Sequence, residues 1–213
     1  MSKKIPLFPL SLVAFPGEEL NLHIFEKRYR QLVKDCMANE LSFGIVPVLD
    51  KKLSDIGTEM EILEISHIYG DGKMDIRTKA GKAFHLLEFQ EKIEDKLYPG
   101  GEVELLSDIY DSNLLLLGKV FDHIKKLYKS MKMPISLPVA DYGYRIYSIA
   151  HKIGLNTSQE IELLRTRSEV ERLEYVLDHL KSLIPIVGQM EEMRNKVKMN
   201  GHFKDALPPD FEL

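Results

Sequence analysis

The sequence of 213 residues contains a single cysteine, Cys36, so no disulfide can form within the chain. A fold of this kind does not require an oxidising compartment. Positive charge is not in surplus either, because 29 lysines and arginines stand against 33 aspartates and glutamates, a net charge of −4. A general nucleic-acid-binding protein needs a surplus of Lys and Arg to contact phosphates, so this balance argues against nucleic acid as a partner.

Long apolar stretches are also absent. No segment approaches the ~20 consecutive apolar residues that span a bilayer, so we predict no membrane partner. The run IPLFPLSLVAFP follows two lysines and imitates a secretory signal peptide. However, Pro6, Pro9 and Pro16 interrupt it, and no small-x-small cleavage site follows. The sequence therefore predicts a cytoplasmic protein.

Motifs of catalysis and of metal binding are missing as well. No two of the seven histidines have the i, i+4 spacing of a zinc helix, and no second cysteine is present. Neither a GxxxxGK[ST] phosphate loop nor a GxSxG nucleophile motif occurs. Cys36 falls on an apolar helix stripe, where an inert thiol is expected. We therefore predict no enzyme, no cofactor and no metal, although spacing alone does not detect a catalytic pair on separate elements.

The first half of the chain has the pattern of β-strands. In ELNLHIF, Leu20, Leu22 and Ile24 alternate with other residues, so Leu22 is predicted to face the core and His23 the solvent. MEILEISHIY and KMDIRT flank Gly70-Asp71-Gly72, which predicts a hairpin. FGIVPV, AFHLLEF and EVELL are further predicted strands, and Pro99-Gly100-Gly101 is predicted to turn into the last of them. A helix is predicted at residues 26–38, with an apolar stripe formed by Tyr29, Leu32, Val33, Cys36 and Met37.

The second half has the periodicity of α-helices. Apolar residues from Leu117 to Met131 recur at helical spacing, and five lysines occupy the other side. A second helix is predicted at residues 142–153. Thr157 with Glu160, and Ser168 with Glu171, fit the capping box that marks helix starts. Pro185 is predicted to kink or end the last helix.

Pattern and charge both change near Asp111. Residues 1–110 carry 14 basic and 19 acidic side chains, whereas residues 111–213 carry 15 and 14. We therefore predict a β subdomain at residues 1–110, a helical subdomain at 111–190, and a polar C-terminal tail at 191–213.

Several segments resemble the substrate-binding domain of Lon proteases. The opening IPLFPLSLVAFPGEELNLHIFEKRYRQLV has a strand ending in PLFPL, an FPG turn, an apolar strand and an F-E-x-R-Y helix start. DGKMDIRTKAGKAFHLLEF and EVELLSD follow the family's order, and DYGYRIYSIAHKIGLNTSQEIELLRTRSEVERLEYVLDHL is similar to its helical half. One departure is Ala83, because the family often has an arginine before the aromatic residue at this place, here Phe84.

The resemblance implies an α+β fold: a PUA-like β-barrel, a curled and mostly antiparallel sheet with one helix, followed by a C-terminal helical bundle. It implies a stand-alone, non-catalytic module that binds unfolded or peptide segments or a protein partner, as an adaptor in protein quality control or proteolysis. An alternative is an RNA-binding module, because PUA-like barrels also bind RNA. A second alternative is a small-ligand sensor, because a related barrel occurs in cereblon.

The motif residues are predicted to be structural rather than to contact a ligand. Prolines and glycine set turns and edge geometry, and Glu26 and Arg28 are predicted to form an ion pair or a cap that fixes the helix. The basic face around Lys125 and Lys129 is a candidate surface for an acidic partner. No peptide-binding residue is predicted. The motif residues are Pro9, Phe15, Pro16, Gly17, Phe25, Glu26, Arg28 and Tyr29.

Overall fold

A computed structural model describes residues 2–201. The order of its elements confirms a mixed fold in which strands precede most of the helices. The elements are β1 (Ser2–Leu10), β2 (Glu19–Ile24), α1 (Lys27–Asn39), β3 (Phe43–Leu49), β4 (Lys52–Leu53), β5 (Ile56–Ile68), β6 (Met74–Gln90), β7 (Gly100–Leu105), α2 (Leu114–Ser130), a 3₁₀ helix (Ile146–Lys152), α3 (Thr157–Arg165) and α4 (Glu169–Gly201).

Two compact units divide these residues, and they are interleaved along the chain. The first contains residues 2–112 and 145–172, and the second contains residues 113–144 and 173–201. The predicted border near Asp111 lies next to the end of the first segment. Residues 145–172, which the sequence analysis assigns to the helical subdomain, belong instead to the unit with the sheet. Helical periodicity identifies the apolar face of a segment but not the element against which that face packs.

The strand pairings of the first unit form a closed cycle. The first half of β1 pairs antiparallel with β7, and its second half pairs parallel with β3. β7 pairs with β6, β6 with β5, and β5 with β3, so these five strands return to β1. β4 and β2 lie outside the cycle, β4 beside β3 and β2 beside β6. All pairings except β1–β3 are antiparallel.

The predicted hairpin is present, but β6 is longer than predicted. KMDIRT and AFHLLEF were expected as two strands, and they form one strand of 17 residues that passes through Gly81 without a break. Register shifts in its pairing with β5 accommodate this length. Gly100 and Gly101 are not a turn but the first residues of β7. A Cβ atom at Gly101 would lie 2.5 Å from the Glu88 carbonyl oxygen, so the close approach of two backbones requires glycine here.

Helix α1 covers one part of the core in the first unit. Tyr29, Leu32, Val33 and Cys36 are buried as the stripe predicts, and Tyr29 stacks on Phe8 with ring centroids 3.8 Å apart. The apolar stripe of α1 is one residue shorter than predicted, because Met37 is exposed. In β2, Leu20 and Leu22 are half-buried against this core and Ile24 is fully buried, whereas Asn21 and His23 are exposed. The predicted alternation is therefore correct.

A second apolar cluster is formed by side chains of β1, β3, β6 and β7, four strands of the cycle. It contains Ile5, Leu7, Val46, Phe84 and Val103. Ala83, the departure from the family pattern, is also buried. An arginine at this position would have to bring a charge into a region without water, which is costly unless the charge is paired.

The helical starts after α2 differ in detail from the predicted ones. Residues 146–152 form a 3₁₀ helix rather than an α-helix over 142–153. The capping box of α3 uses Asn156 and Gln159 instead of Thr157 and Glu160, because both reciprocal side-chain bonds come from the earlier pair. At the start of α4, Ser168 Oγ accepts a hydrogen bond from the Glu171 amide, as predicted.

The second unit contains α2 and most of α4. The apolar face of α2 is buried through Leu117, Val120, Phe121, Ile124 and Leu127. Pro185 lies inside α4 and does not end it, and the helix continues into residues 191–201 of the predicted tail. The rest of that tail, residues 202–213, lies outside the described residues.

Candidate functional site

An open groove lies in the first unit, between the C-terminal end of α1 and strands β5 and β6. Its volume is about 720 Å³, within the range of small-molecule and side-chain pockets. The lining combines apolar side chains with carboxylates and contains Cys36, Met37, Glu40, Leu41, Ser42, Glu59, Glu61, Ile62 and Gly81.

The end of α1 shapes the apolar wall of this groove. Glu40 ends the helix in the left-handed conformation with φ 54°, and its amide bonds back to the Cys36 carbonyl. The Leu41 amide donates to the same oxygen over 2.9 Å. This turn leaves the side chains of Met37 and Leu41 43% and 50% exposed. Flexible, partly exposed apolar side chains of this kind are typical of surfaces that adapt to varied partners.

Carboxylates give the groove negative charge. Glu59 accepts hydrogen bonds from Lys3 Nζ and from Ser42 Oγ. Burial is the largest single influence on Glu59 and would raise its pKa, but these two hydrogen bonds and the charges of Lys3 and Lys82 together hold the pKa below its ordinary value. Among the residues that the structure describes, Glu40 and Glu61 form no ion pair. Both place negative charge beside the apolar wall, and Lys79 lies opposite Glu61 in the pairing of β5 with β6.

The thiol of Cys36, which lines the groove, is buried. Burial, together with the neighbouring Asp35 carboxylate, raises the pKa of Cys36 to about 12. Asp35 stays ionised because it binds Lys96 Nζ and the Tyr98 hydroxyl, each over 2.8 Å. A thiol with this pKa remains protonated at neutral pH, so Cys36 contributes apolar surface rather than thiolate chemistry.

The FPG motif forms a tight turn. Phe15 and Glu18 are joined by a backbone hydrogen bond of 3.0 Å, with Pro16 and Gly17 between them and Gly17 at φ +89°. This arrangement is a type II turn, in which proline and glycine occupy their preferred positions. Phe15 is buried, and its ring is tilted by 48° against the ring of His151, with centroids 4.8 Å apart.

His151 is held between two carboxylates. Its Nδ1 lies 2.7 Å from Glu160 Oε1 and its Nε2 lies 3.2 Å from Glu18 Oε2. The hydrogen bond to Glu18 is the largest cause that raises the pKa of His151 to about 9, and burial opposes it. The imidazolium thus connects the 3₁₀ helix and α3 to the FPG turn.

The F-E-x-R-Y motif surrounds the start of α1. Glu26 precedes the helix and pairs with Arg28, with Nε and Oε2 2.9 Å apart, and both side chains are largely exposed. The Arg28 guanidinium lies over the ring of the buried Tyr29. Phe25 is 58% exposed. Pro9 is half-buried in β1, opposite Val46 of β3. These residues do not line the groove.

The basic residues Lys125 and Lys129 lie on the exposed face of α2. Lys125 Nζ is 3.8 Å from the carboxylate of Asp122, an exposed contact with little energetic weight.

An exposed aromatic cluster, which the sequence analysis missed, lies at the tip of the β5–β6 hairpin and beside the end of β2. The centroid of the Tyr69 ring lies 4.4 Å from that of His67 and 5.6 Å from that of His23. Asp75 accepts a hydrogen bond from the Tyr69 hydroxyl over 2.7 Å and lies 2.6 Å from His23 Nδ1. Phe25 stacks loosely on His23. The β5–β6 hairpin joins His67, Tyr69 and Asp75, and only the pairing of β2 with β6 adds His23, so the sequence pattern does not reveal the whole cluster.

Within residues 2–201, no group of three or more His, Cys, Asp or Glu side chains has the arrangement of a metal site. In the same part of the chain, no helix combines the length and the apolar content that crossing a bilayer requires.

Comparison with known proteins agrees with this architecture. The profile of the family described as ATP-dependent protease La (LON) substrate-binding domain matches residues 4–182. The solved Lon N-terminal domain protein from Xanthomonas campestris is 26% identical, with a TM-score of 0.62, over 83% of this chain and 98% of that one. The N-terminal domain of the Lon protease from the Mycobacterium avium complex shares the fold at 16% identity, with a TM-score of 0.62, over 84% of this chain and 98% of that one. The chain belongs to the Lon substrate-binding domain family.

Proposed function

We propose that this chain recognises polypeptide without catalysing a reaction, and that it binds unfolded or extended segments in the groove beside α1. The observation that carries the proposal is a groove walled by exposed Met37 and Leu41 in a member of a substrate-binding family. Apolar residues of the segment would contact this wall. A lysine or arginine in the segment would complement Glu40 and Glu61.

We extend the proposal to the barrel fold, to the role of the motif residues and to the cellular role of the protein. We propose a PUA-like barrel for the closed cycle of strands, a structural role for the motif residues, and a cytoplasmic role as an adaptor in protein quality control. The face around Lys125 and Lys129 is proposed as a contact for an acidic protein partner, which the charge reversals Lys125→Glu and Lys129→Glu would weaken.

Peptide binding is tested by fluorescence anisotropy with a labelled apolar peptide that contains one lysine. The double variant Met37→Glu/Leu41→Glu is expected to weaken binding by about 30-fold, because each half-exposed side chain contributes about 1 kcal/mol of apolar burial. Leu97→Glu is the matched control, since Leu97 is 59% exposed but does not line the groove. Equal losses in the two proteins would contradict the proposed site.

A labelled single-stranded RNA in the same assay tests the alternative. Apolar recognition should survive an increase from ~50 to ~200 mM salt, whereas phosphate binding falls steeply over that range. Tight, salt-sensitive RNA binding without a peptide signal would replace the proposed function with RNA recognition.

The absence of catalysis is a separate prediction. Purified protein is expected to degrade no casein, with or without ATP. Turnover that survives repurification and disappears with a point substitution would refute it.

A further inference from the structure

The outer edge of β2 has free backbone hydrogen-bonding groups. Among the described residues, β2 pairs with β6 alone. The Ala80 amide donates to the Glu18 carbonyl over 2.8 Å, and in an antiparallel ladder such bonds recur at every second residue. The even-numbered residues of β2 therefore bond to β6. The amides and carbonyls of Glu19, Asn21 and His23 point away from the sheet, and all three residues are exposed.

The apolar side chains of β2 are incompletely covered for the same reason. Leu20 and Leu22 pack against the core of the first unit but remain half-buried, whereas Ile24 is fully buried. A strand on the outer edge of β2 would place every second side chain beside Leu20 and Leu22 and remove them from water. Its residues at alternate positions would therefore need to be apolar.

The inner edge of β2, which pairs with β6, indicates which charges in an added strand would complement β2. There, β6 places Lys79 opposite Glu19 and Asp75 opposite His23. A strand on the outer edge meets the same two β2 side chains from the other side, so a basic residue opposite Glu19 and an acidic one opposite His23 would complement them.

We propose that an extended polypeptide segment binds by adding to the outer edge of β2 as a further antiparallel strand, with alternate apolar residues and a basic residue opposite Glu19. The inference rests on the proposed function that this chain binds polypeptide, but it concerns a surface other than the groove. Strand addition takes its affinity from main-chain hydrogen bonds, which any sequence can make. It would let one domain accept many different segments.

The test uses a fluorescein-labelled peptide with the sequence MDIRTK of residues 74–79, which already complements β2 from the other side. Two N-methylated forms are compared in anisotropy titrations of the wild-type protein. Methylation at the Asp, Arg and Lys positions blocks the amides that would face β2 and should weaken binding by at least about tenfold. Methylation at the Met, Ile and Thr positions should change it by less than about twofold, because those amides point away.

A protein variant provides an independent arm. Asn21→Pro removes the outward amide of β2 without removing a bond to β6, and proline is tolerated on such an edge. It is expected to lose about tenfold in affinity. Asn21→Ala, which keeps the amide, is the matched control. If Asn21→Pro fails to fold, the methylated peptides on wild-type protein still decide the question.

The outcomes separate the two proposals. If both methylated peptides bind equally well and Met37→Glu/Leu41→Glu weakens their binding, strand addition is overturned and polypeptide recognition in the groove is retained. No binding of MDIRTK, with apolar peptides still bound, also overturns strand addition. No binding of any peptide overturns both. Sedimentation tests whether a second copy of the chain occupies the edge instead. If the wild type self-associates, Asn21→Pro does not, and methylation leaves peptide binding unchanged, the edge binds a second copy and the inference is overturned.

Discussion

Replacement of Arg172 by methionine should severely destabilise the first unit. The guanidinium is buried, 1% exposed, and donates to Asp108, to the 2% exposed carboxylate of Glu169, and to the Thr166 carbonyl. It also lies 4.2 Å from the centroid of the Tyr147 ring. Methionine keeps most of the apolar stem but removes the guanidinium that donates to the buried Glu169 carboxylate, which then has only the weaker influence of the Arg145 charge. Removing one partner of a buried ion pair costs about 3–5 kcal/mol, which corresponds to a melting temperature lower by about 6–20 °C in a protein of this size.

The pH dependence of this loss identifies its cause. Burial is the largest influence on Glu169 and raises its pKa, against the Ile146 amide and Arg172, which lower it. Without Arg172 the pKa of Glu169 rises further, so the folded variant takes up its proton at a higher pH than the wild type does. The difference in unfolding free energy between wild type and Arg172→Met should therefore shrink in acid.

A double-mutant cycle completes the assay. Glu169→Gln removes the charge but keeps an oxygen for the Ile146 amide. The variant Arg172→Met/Glu169→Gln should lose less than the sum of the two single losses in urea denaturation at pH 7. Additive losses, or a loss in Arg172→Met below about 1 kcal/mol, would mean that the buried pair does not stabilise the unit in the way described.

Two further predictions concern β2 and the histidine at the FPG turn. Leu22→Asp should cost about 2 kcal/mol, because its side chain is half-buried on an edge strand, and His23→Asn less than about 0.5 kcal/mol. Asparagine is chosen because an aspartate would place a like charge opposite Asp75 in the pairing of β2 with β6. Equal losses in urea denaturation would contradict the register. The raised pKa of His151 implies stability that is fully present below its ordinary pKa of 6.5 and lost as pH rises through about 9. His151→Gln should flatten the melting temperature between those pH values, and parallel curves for the two proteins would refute the contribution.

Local features were predictable where one physical rule decides them. The alternation of Leu22 and His23 follows from the two-residue period of a strand, whatever its partner. The start of α4 at Ser168 was also found, because a hydroxyl that caps the amide three residues later is a local interaction. The sequence does not reveal that Asp111 accepts from the same hydroxyl and from the Glu169 amide, 57 and 58 residues away.

The candidate groove was not predictable because its walls come from distant segments. Met37 has the spacing of a buried residue, but it lies near the C-terminal end of α1 and is 43% exposed. Glu59 and Glu61 lie on β5, and the packing of α1 near that strand places them opposite Met37. Similarly, an edge strand and an interior strand have the same alternating pattern. The free edge of β2 therefore becomes visible only when the pairings of all strands are known.

The interleaving of the two units has a consequence for synthesis on the ribosome. Strand β7 ends at Leu105, but the first unit also requires residues 145–172, and Arg172 follows a further 67 residues along the chain. At a translation rate of about 5–20 residues per second, about 3–13 s pass between the synthesis of β7 and that of Arg172. During that interval the surface that later contacts the 3₁₀ helix and α3 remains uncovered. The nascent chain would then itself bind chaperones until Arg172 has emerged.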